Sequence, residues 1–72
     1  MIKINFGKRL AALRKASGLT QEQLAEKAEY SVEFISFIER GVHAPSLDGV
    51  ERLARSLNVA EAELFRFKEV DS

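Results

Sequence analysis

Cysteine is absent from the chain, so neither a disulfide nor a thiolate-bound metal can brace it. Histidine occurs once, as His43, and a lone imidazole builds no metal site by itself. Of the four glycines, none belongs to a glycine-rich loop that would cradle phosphate. No apolar run approaches the ~18 residues of a membrane span. The first residues lack the apolar region, about 7–15 residues long, of a signal peptide. There is no strand candidate of any length, no repeat and no low-complexity tract. No carboxylate pair comes with a plausible pocket. These absences argue against an enzyme, and no cofactor, metal, small-molecule substrate or membrane partner is expected. The expected location is the cytoplasm.

The 72 residues are read as one domain, 1–72. A chain this short buries only about 60% of the surface its unfolded form exposes. Without cysteine or metal, it must depend on well-formed helix packing or on oligomerisation. Net charge is zero, with eleven basic and eleven acidic residues, although nucleic-acid binders are commonly basic. The charge is unevenly distributed, however. Residues 1–20 carry Lys3, Lys8, Arg9, Arg14 and Lys15 and no acid, for +5, whereas residues 21–40 carry −3 and residues 60–72 carry −2. Separated charge permits a local positive face; ordinary solvated helix charges are the plain alternative.

Five helical segments emerge. The first runs from about Phe6 to Ser17, with Asn5 as N-cap, a stripe of Phe6, Leu10 and Leu13, and Gly18 as a left-handed stop. The second begins at Thr20, where Thr20 and Gln23 have capping-box spacing, and turns Leu24, Ala25 and Ala28 inward. The third starts at Ser31 and ends at Arg40–Gly41; Val32, Phe34 and Ile35 are weak helix formers, so it needs tertiary contacts. Pro45 holds Ala44 extended. Ser46 caps a fourth helix to Leu57, with a stripe of Leu47, Val50, Leu53, Ala54 and Leu57, weakened at Gly49 by up to about 1 kcal/mol. Asn58 suits a left-handed exit. A short fifth helix, from Ala60 to about Phe67, starts from a poor cap.

The most informative stretch is Leu19–Gly41, two short helices joined by a tight turn. This pair is the minimal device for laying a helix into the DNA major groove. At 100° per residue, placing Ile35 in the core sets Ser31, Ile38 and Val42 beside it. Val32, Glu33, Ser36, Phe37 and Arg40 then point away. Arg40 suits a phosphate or a guanine. Val32 and Phe37 suit thymine methyls, Ser36 donates or accepts, and Glu33 suits a cytosine amine. Core burial of Phe37 and a solvated Glu33 are the plain alternatives, and Ser36 has the option of bonding back to its own helix. The free amides at the start of the second helix attract phosphate, and Gln21 adds a donor there.

With Arg14, Leu19-Thr20-Gln21-Glu22-Gln23-Leu24-Ala25, Ile35-Ser36-Phe37-Ile38-Glu39-Arg40-Gly41, Pro45-Ser46-Leu47 and Leu53 to Val59 in hand, the sequence resembles the Cro/repressor-type (Xre-like) helix-turn-helix family over about residues 6–66. Within it, the chain looks most like the short stand-alone members, such as phage repressors and restriction–modification controller proteins. The resemblance implies an all-α, compact five-helix, lambda-repressor-like fold, with the helix-turn-helix at about 20–40. It implies a bacterial or phage-encoded, nucleoid-associated, sequence-specific transcriptional regulator. Its partner would be double-stranded operator DNA, with recognition helix 31–40 in the major groove. By carry-over, Thr20 belongs to the DNA-binding set, Gln21 meets phosphate or a base near it, Val32, Glu33, Ser36 and Phe37 face bases, and Arg40 and His43 meet the backbone. Arg14 and Glu39 match a structural ion pair. Two departures stand out: Val32 and Phe37 occupy positions that are often Arg, Lys or Gln, and the loop Val42-His43-Ala44 is not basic. Both call for a homodimer on a roughly palindromic operator.

Leu64, Phe65, Phe67 and Val70 are too many apolar residues for one short helix to bury. Leu64 is expected in the core, and Phe65, Phe67 and Val70 in a dimer element at about 60–72; a frayed tail is the plain alternative. The rival function is a protein-interaction module on the same fold, such as an antitoxin binding a partner protein. Neutral charge and an outward Phe37 suit that rival.

Overall fold

The computed structural model describes residues 1–68. Its elements are α1 (Ile2–Ala16), α2 (Gln21–Ala28), α3 (Val32–Glu39), α4 (Leu47–Leu57) and a 3-10 turn, Glu61–Phe65. Among the described residues there is no strand, as the all-α reading required. The fifth α-helix is not there; its place is taken by the 3-10 turn. Ala60 supplies no side-chain cap, and a five-residue segment gains too few bonds to offset α-helix nucleation.

α1 starts earlier than expected, with Met1 rather than Asn5 at the cap position. The Asn5 amide donates to the Met1 carbonyl at 3.0 Å, so Asn5 lies inside the helix. Phe6, Gly7, Leu10 and Arg14 form the buried face, at the three- and four-residue spacing of a helix stripe. Gly18 then takes the left-handed conformation, φ +77°.

The Thr20 capping box forms in both directions. Thr20 Oγ1 accepts from the Gln23 amide at 3.0 Å, and the Thr20 amide donates to Gln23 Oε1 at 2.8 Å. α2 closes at Glu29, a non-glycine residue with φ 63°, which the sequence does not advertise. Ser31 accepts from the Phe34 amide at the start of α3. Ser46 does the same for Gly49 in α4, and Asn58 makes the left-handed exit with φ 58°.

Leu10, Leu24, Ile35, Ile38, Leu53 and Leu64 are fully buried and tie every element into one core. α1 packs on α3, α2 on α3 and α4, and the turn on α1 and α4. Leu64 plugs the core as expected. Arg9 straps the turn to α1, donating from Nε to the Glu63 carbonyl at 2.8 Å and from Nη2 to Glu63 Oε1 at 3.1 Å.

Further expectations are corrected. Leu47 is not core but 86% exposed; as the first residue of α4 it precedes the buried stripe. Val42 and Ser31 are exposed rather than beside Ile35: α3 ends at Glu39 and left-handed Gly41 (φ 78°) turns the chain before Val42 reaches that phase, and Ser31 is the extended N-cap outside the helix. Gly49 is not simply a weak point in α4. A Cβ there would overlap the Tyr30 hydroxyl and approach Pro45 Cβ to 3.0 Å, so glycine is what allows the ring to dock.

Candidate nucleic-acid interface

α3 is an eight-residue helix held by two buried isoleucines. It lies close to α1 because Gly7 faces its C-terminal end. A Cβ on Gly7 would overlap the Ile38 carbonyl oxygen and sit 2.8 Å from that of Glu39. The helix is further tied by charge. Arg14 donates to Glu39 through Nε at 2.6 Å and Nη2 at 3.1 Å, and its Nη1 donates to the Leu19 carbonyl at 2.8 Å. Both side chains of this pair are largely shielded, 11% and 7% exposed. A two-pronged guanidinium–carboxylate pair fixes geometry as well as charge, so the pair sets the position of the C-terminal end of α3 relative to α1.

With Ile35 and Ile38 inward, the opposite face of α3 carries the residues singled out from helical phase. Glu33 and Arg40 are exposed, and Ser36 and Phe37 are half-buried. Phe34 and Val32 are also half-buried and pack against the core, so Val32 presents only part of its surface outward. Among the described residues the Ser36 hydroxyl makes no hydrogen bond, whereas Ser56 bonds back to the Arg52 carbonyl at 2.8 Å. The Arg40 guanidinium carbon lies 5.1 Å from the centre of the Phe37 ring, a stacking that suits arginine's flat, delocalised charge.

Thr20 is exposed and Gln21 half-buried at the start of α2. The capping box occupies the amides of Thr20 and Gln23. Those of Gln21 and Glu22, in the first turn, have no partner within the helix. Gln21 Nε2 donates to Glu39 Oε1 at 2.9 Å, so Glu39 joins Arg14 and Gln21 in one network at the joint of α1, α2 and α3. His43 is exposed in the loop after α3, with its ring 5.2 Å from Phe37 and 5.9 Å from Phe34. Of the five basic residues at the N-terminal end, Arg9 and Arg14 are engaged in internal pairs, which leaves less positive charge for a polyanion than the sequence count suggests. Among the described residues no group of three His, Asp or Glu side chains is placed to hold a metal.

Of the three residues expected in a dimer element, Phe65 is 42% exposed and packs its ring 5.1 Å from that of Phe6. Phe67 is half-buried against the core, and Val70 lies outside the described residues. The apolar face is wider than the C-terminal segment. A groove beside Phe65 is lined by Ile2, Phe6, Pro45, Leu47 and Val50, and Ile2 is 59% exposed. The contribution of Leu47 and Ile2 was missed; the available signal was a large apolar residue directly after a helix cap, ahead of the buried stripe.

Residues 5–67 match the model of a family described as a helix-turn-helix domain. The chain is 45% identical over 56 residues to the immunity repressor protein of Bacillus phage phi105, a match spanning 78% of this chain but 39% of that protein. It is 33% identical over 70 residues to the control protein C.BamHI of Bacillus amyloliquefaciens, covering 96% of this chain and 86% of that one. Among solved structures, the restriction–modification controller protein C.AhdI from Aeromonas hydrophila superposes with a TM-score of 0.84 at 39% identity. That match covers 86% of this chain and 94% of that one.

Proposed function

The chain belongs to the Xre-type helix-turn-helix family of DNA-binding transcription regulators, which are not enzymes, and from that premise we propose that it acts as a homodimer on a roughly palindromic operator. α3 enters the major groove. Val32, Glu33, Ser36 and Phe37 face base edges, while Arg40, Thr20 and Gln21 meet the sugar–phosphate backbone. The observation that carries this reading is the division of α3 into two faces. Ile35 and Ile38 are fully buried, while Glu33, Ser36, Phe37 and Arg40 share the outer side, next to the amide-bearing end of α2.

A second copy covers the apolar face of Ile2, Leu47 and Phe65. The groove on that face is also lined by Ala44 and Pro45, in the loop that follows the recognition helix. A two-fold contact there therefore sets the spacing of two recognition helices. One half-site read by an uncharged Val32 and Phe37 binds weakly, and pairing two half-sites offsets that.

Equilibrium binding to duplex DNA across a salt series tests the reading. Contacts to phosphates release counterions, so six to ten contacts cost roughly 10³–10⁵ in affinity between about 50 and 200 mM salt. A partner-binding module on the same fold gives no such loss, and a flat response would count against the DNA-binding reading.

A further inference from the structure

Six side chains form one unbroken stack across the outer surface, and it ends on the recognition face. The Arg52 guanidinium carbon sits 4.6 Å from the Tyr30 ring centre, and Tyr30 lies 4.8 Å from Phe34. Phe34 lies 5.9 Å from His43 in stacked orientation, and His43 meets Phe37 edge-to-face at 5.2 Å and 79°. Arg40 closes the series over Phe37 at 5.1 Å. The far end is anchored on α4 and α2. Gly49 makes room for the Tyr30 hydroxyl, and Arg52 Nε donates to the Ala28 carbonyl at 2.9 Å. The near end is less fixed: Phe37 is half-buried and Arg40 exposed.

We propose that His43 is a positioning residue for base readout: its ring, wedged between Phe34 and Phe37, holds Phe37 and the Arg40 resting on it in the orientation that meets the operator. This deepens the regulator reading and rests on it. The backbone already directs the ring there. The amides of Val42 and His43 both donate to the Phe37 carbonyl, at 2.9 and 3.3 Å, and left-handed Gly41 turns the chain just before them. The loop thus folds back onto the residue whose ring it supports. Ring pairs at these separations favour offset or edge-on geometry, so an imidazole there limits how Phe37 can tilt. Without it, one flank of Phe37 opens to water and Arg40 loses a fixed platform. The role differs from a phosphate contact, because it needs a flat ring and does not need a hydrogen-bond donor.

His43→Phe keeps a ring and removes the donors, whereas His43→Gln keeps a donor and removes the ring. Affinity for a duplex enriched from random oligonucleotides by the wild-type protein, and for its single-base variants, is measured for both at several salt concentrations. A mismatch at the base pair facing Phe37 costs wild type about tenfold. The ring role predicts that His43→Phe retains this ratio and that His43→Gln brings it close to one. The opposite pattern, uniform weakening in His43→Phe with His43→Gln unaffected, overturns the proposal in favour of a phosphate contact. No change in either variant overturns it as well. Aromatic NMR of the DNA-free proteins separates this from the parent reading. Phe37 ring resonances shift in His43→Gln and return in His43→Phe if the stack exists. Unshifted Phe37 resonances refute the stack even where DNA binds. Wild type that shows the stack but binds no duplex refutes the regulator reading instead.

Discussion

Replacing Gly7 with alanine puts the joint between α1 and the recognition helix under direct test. In an isolated helix the change is favourable by about 1 kcal/mol. Here the new methyl would overlap the Ile38 carbonyl oxygen and lie 2.8 Å from the oxygen and 3.0 Å from the carbon of the Glu39 carbonyl. These obstacles are backbone atoms, which do not swing aside like the tip of a lysine. The helices must separate by roughly 1 Å, and overpacking of this kind costs about 3 kcal/mol, at the upper end of its usual range. Allowing for the helix gain, the net loss is about 2 kcal/mol, which lowers Tm by roughly 10 °C in a domain of this size. Circular dichroism melts of wild type and Gly7→Ala measure it. An unchanged or raised Tm would refute the close approach of α1 and α3.

Glu39→Gln leaves the Arg14 guanidinium, 9% exposed as a residue, without its counter-charge; breaking a buried pair costs about 3 kcal/mol, read as a lower urea midpoint. Glu29→Asn relieves a left-handed glutamate and gains about 0.5 kcal/mol, seen in the same titration. Leu47→Glu on an 86% exposed side chain leaves the monomer's melting unchanged within about 0.5 kcal/mol while shifting sedimentation toward monomer. An unaltered sedimentation profile removes the proposed dimer face. Arg40→Ala weakens binding to all sequences alike and lowers the salt slope by about one unit if Arg40 meets phosphate; loss of discrimination at a single base pair would assign it to a base instead.

Apart from Asn5, which lies inside α1, the caps were the most legible part of the fold. Thr20, Ser31 and Ser46 start their helices, and Gly18 and Asn58 end theirs, because each signal is local and stereochemical. The core followed from period: Leu10, Leu24, Ile35, Ile38 and Leu53 sit where helical spacing puts them. What the sequence concealed depends on tertiary contact. Gly49 reads as a weak helix position until the Tyr30 ring is seen against it. Leu47 reads as part of a stripe because its spacing to Val50 and Ala54 is helical, yet as the first residue of α4 it lies outside the core. Glu29 takes a left-handed conformation that glycine or asparagine usually marks. At the candidate interface, helical phase assigned the outer face of α3, but not the half-burial of Val32 or the bond from Gln21 to Glu39. The stack through His43 joins residues from the α2–α3 turn, α3, the next loop and α4, which only the folded chain brings together.

Selection from random duplex oligonucleotides by the purified protein, at about 0.15 M salt, tests the central claim most directly. Enrichment of a two-fold-related sequence, with half-sites about one helical turn, or 10–10.5 base pairs, apart, is the predicted result. Folded protein that enriches no sequence would contradict it.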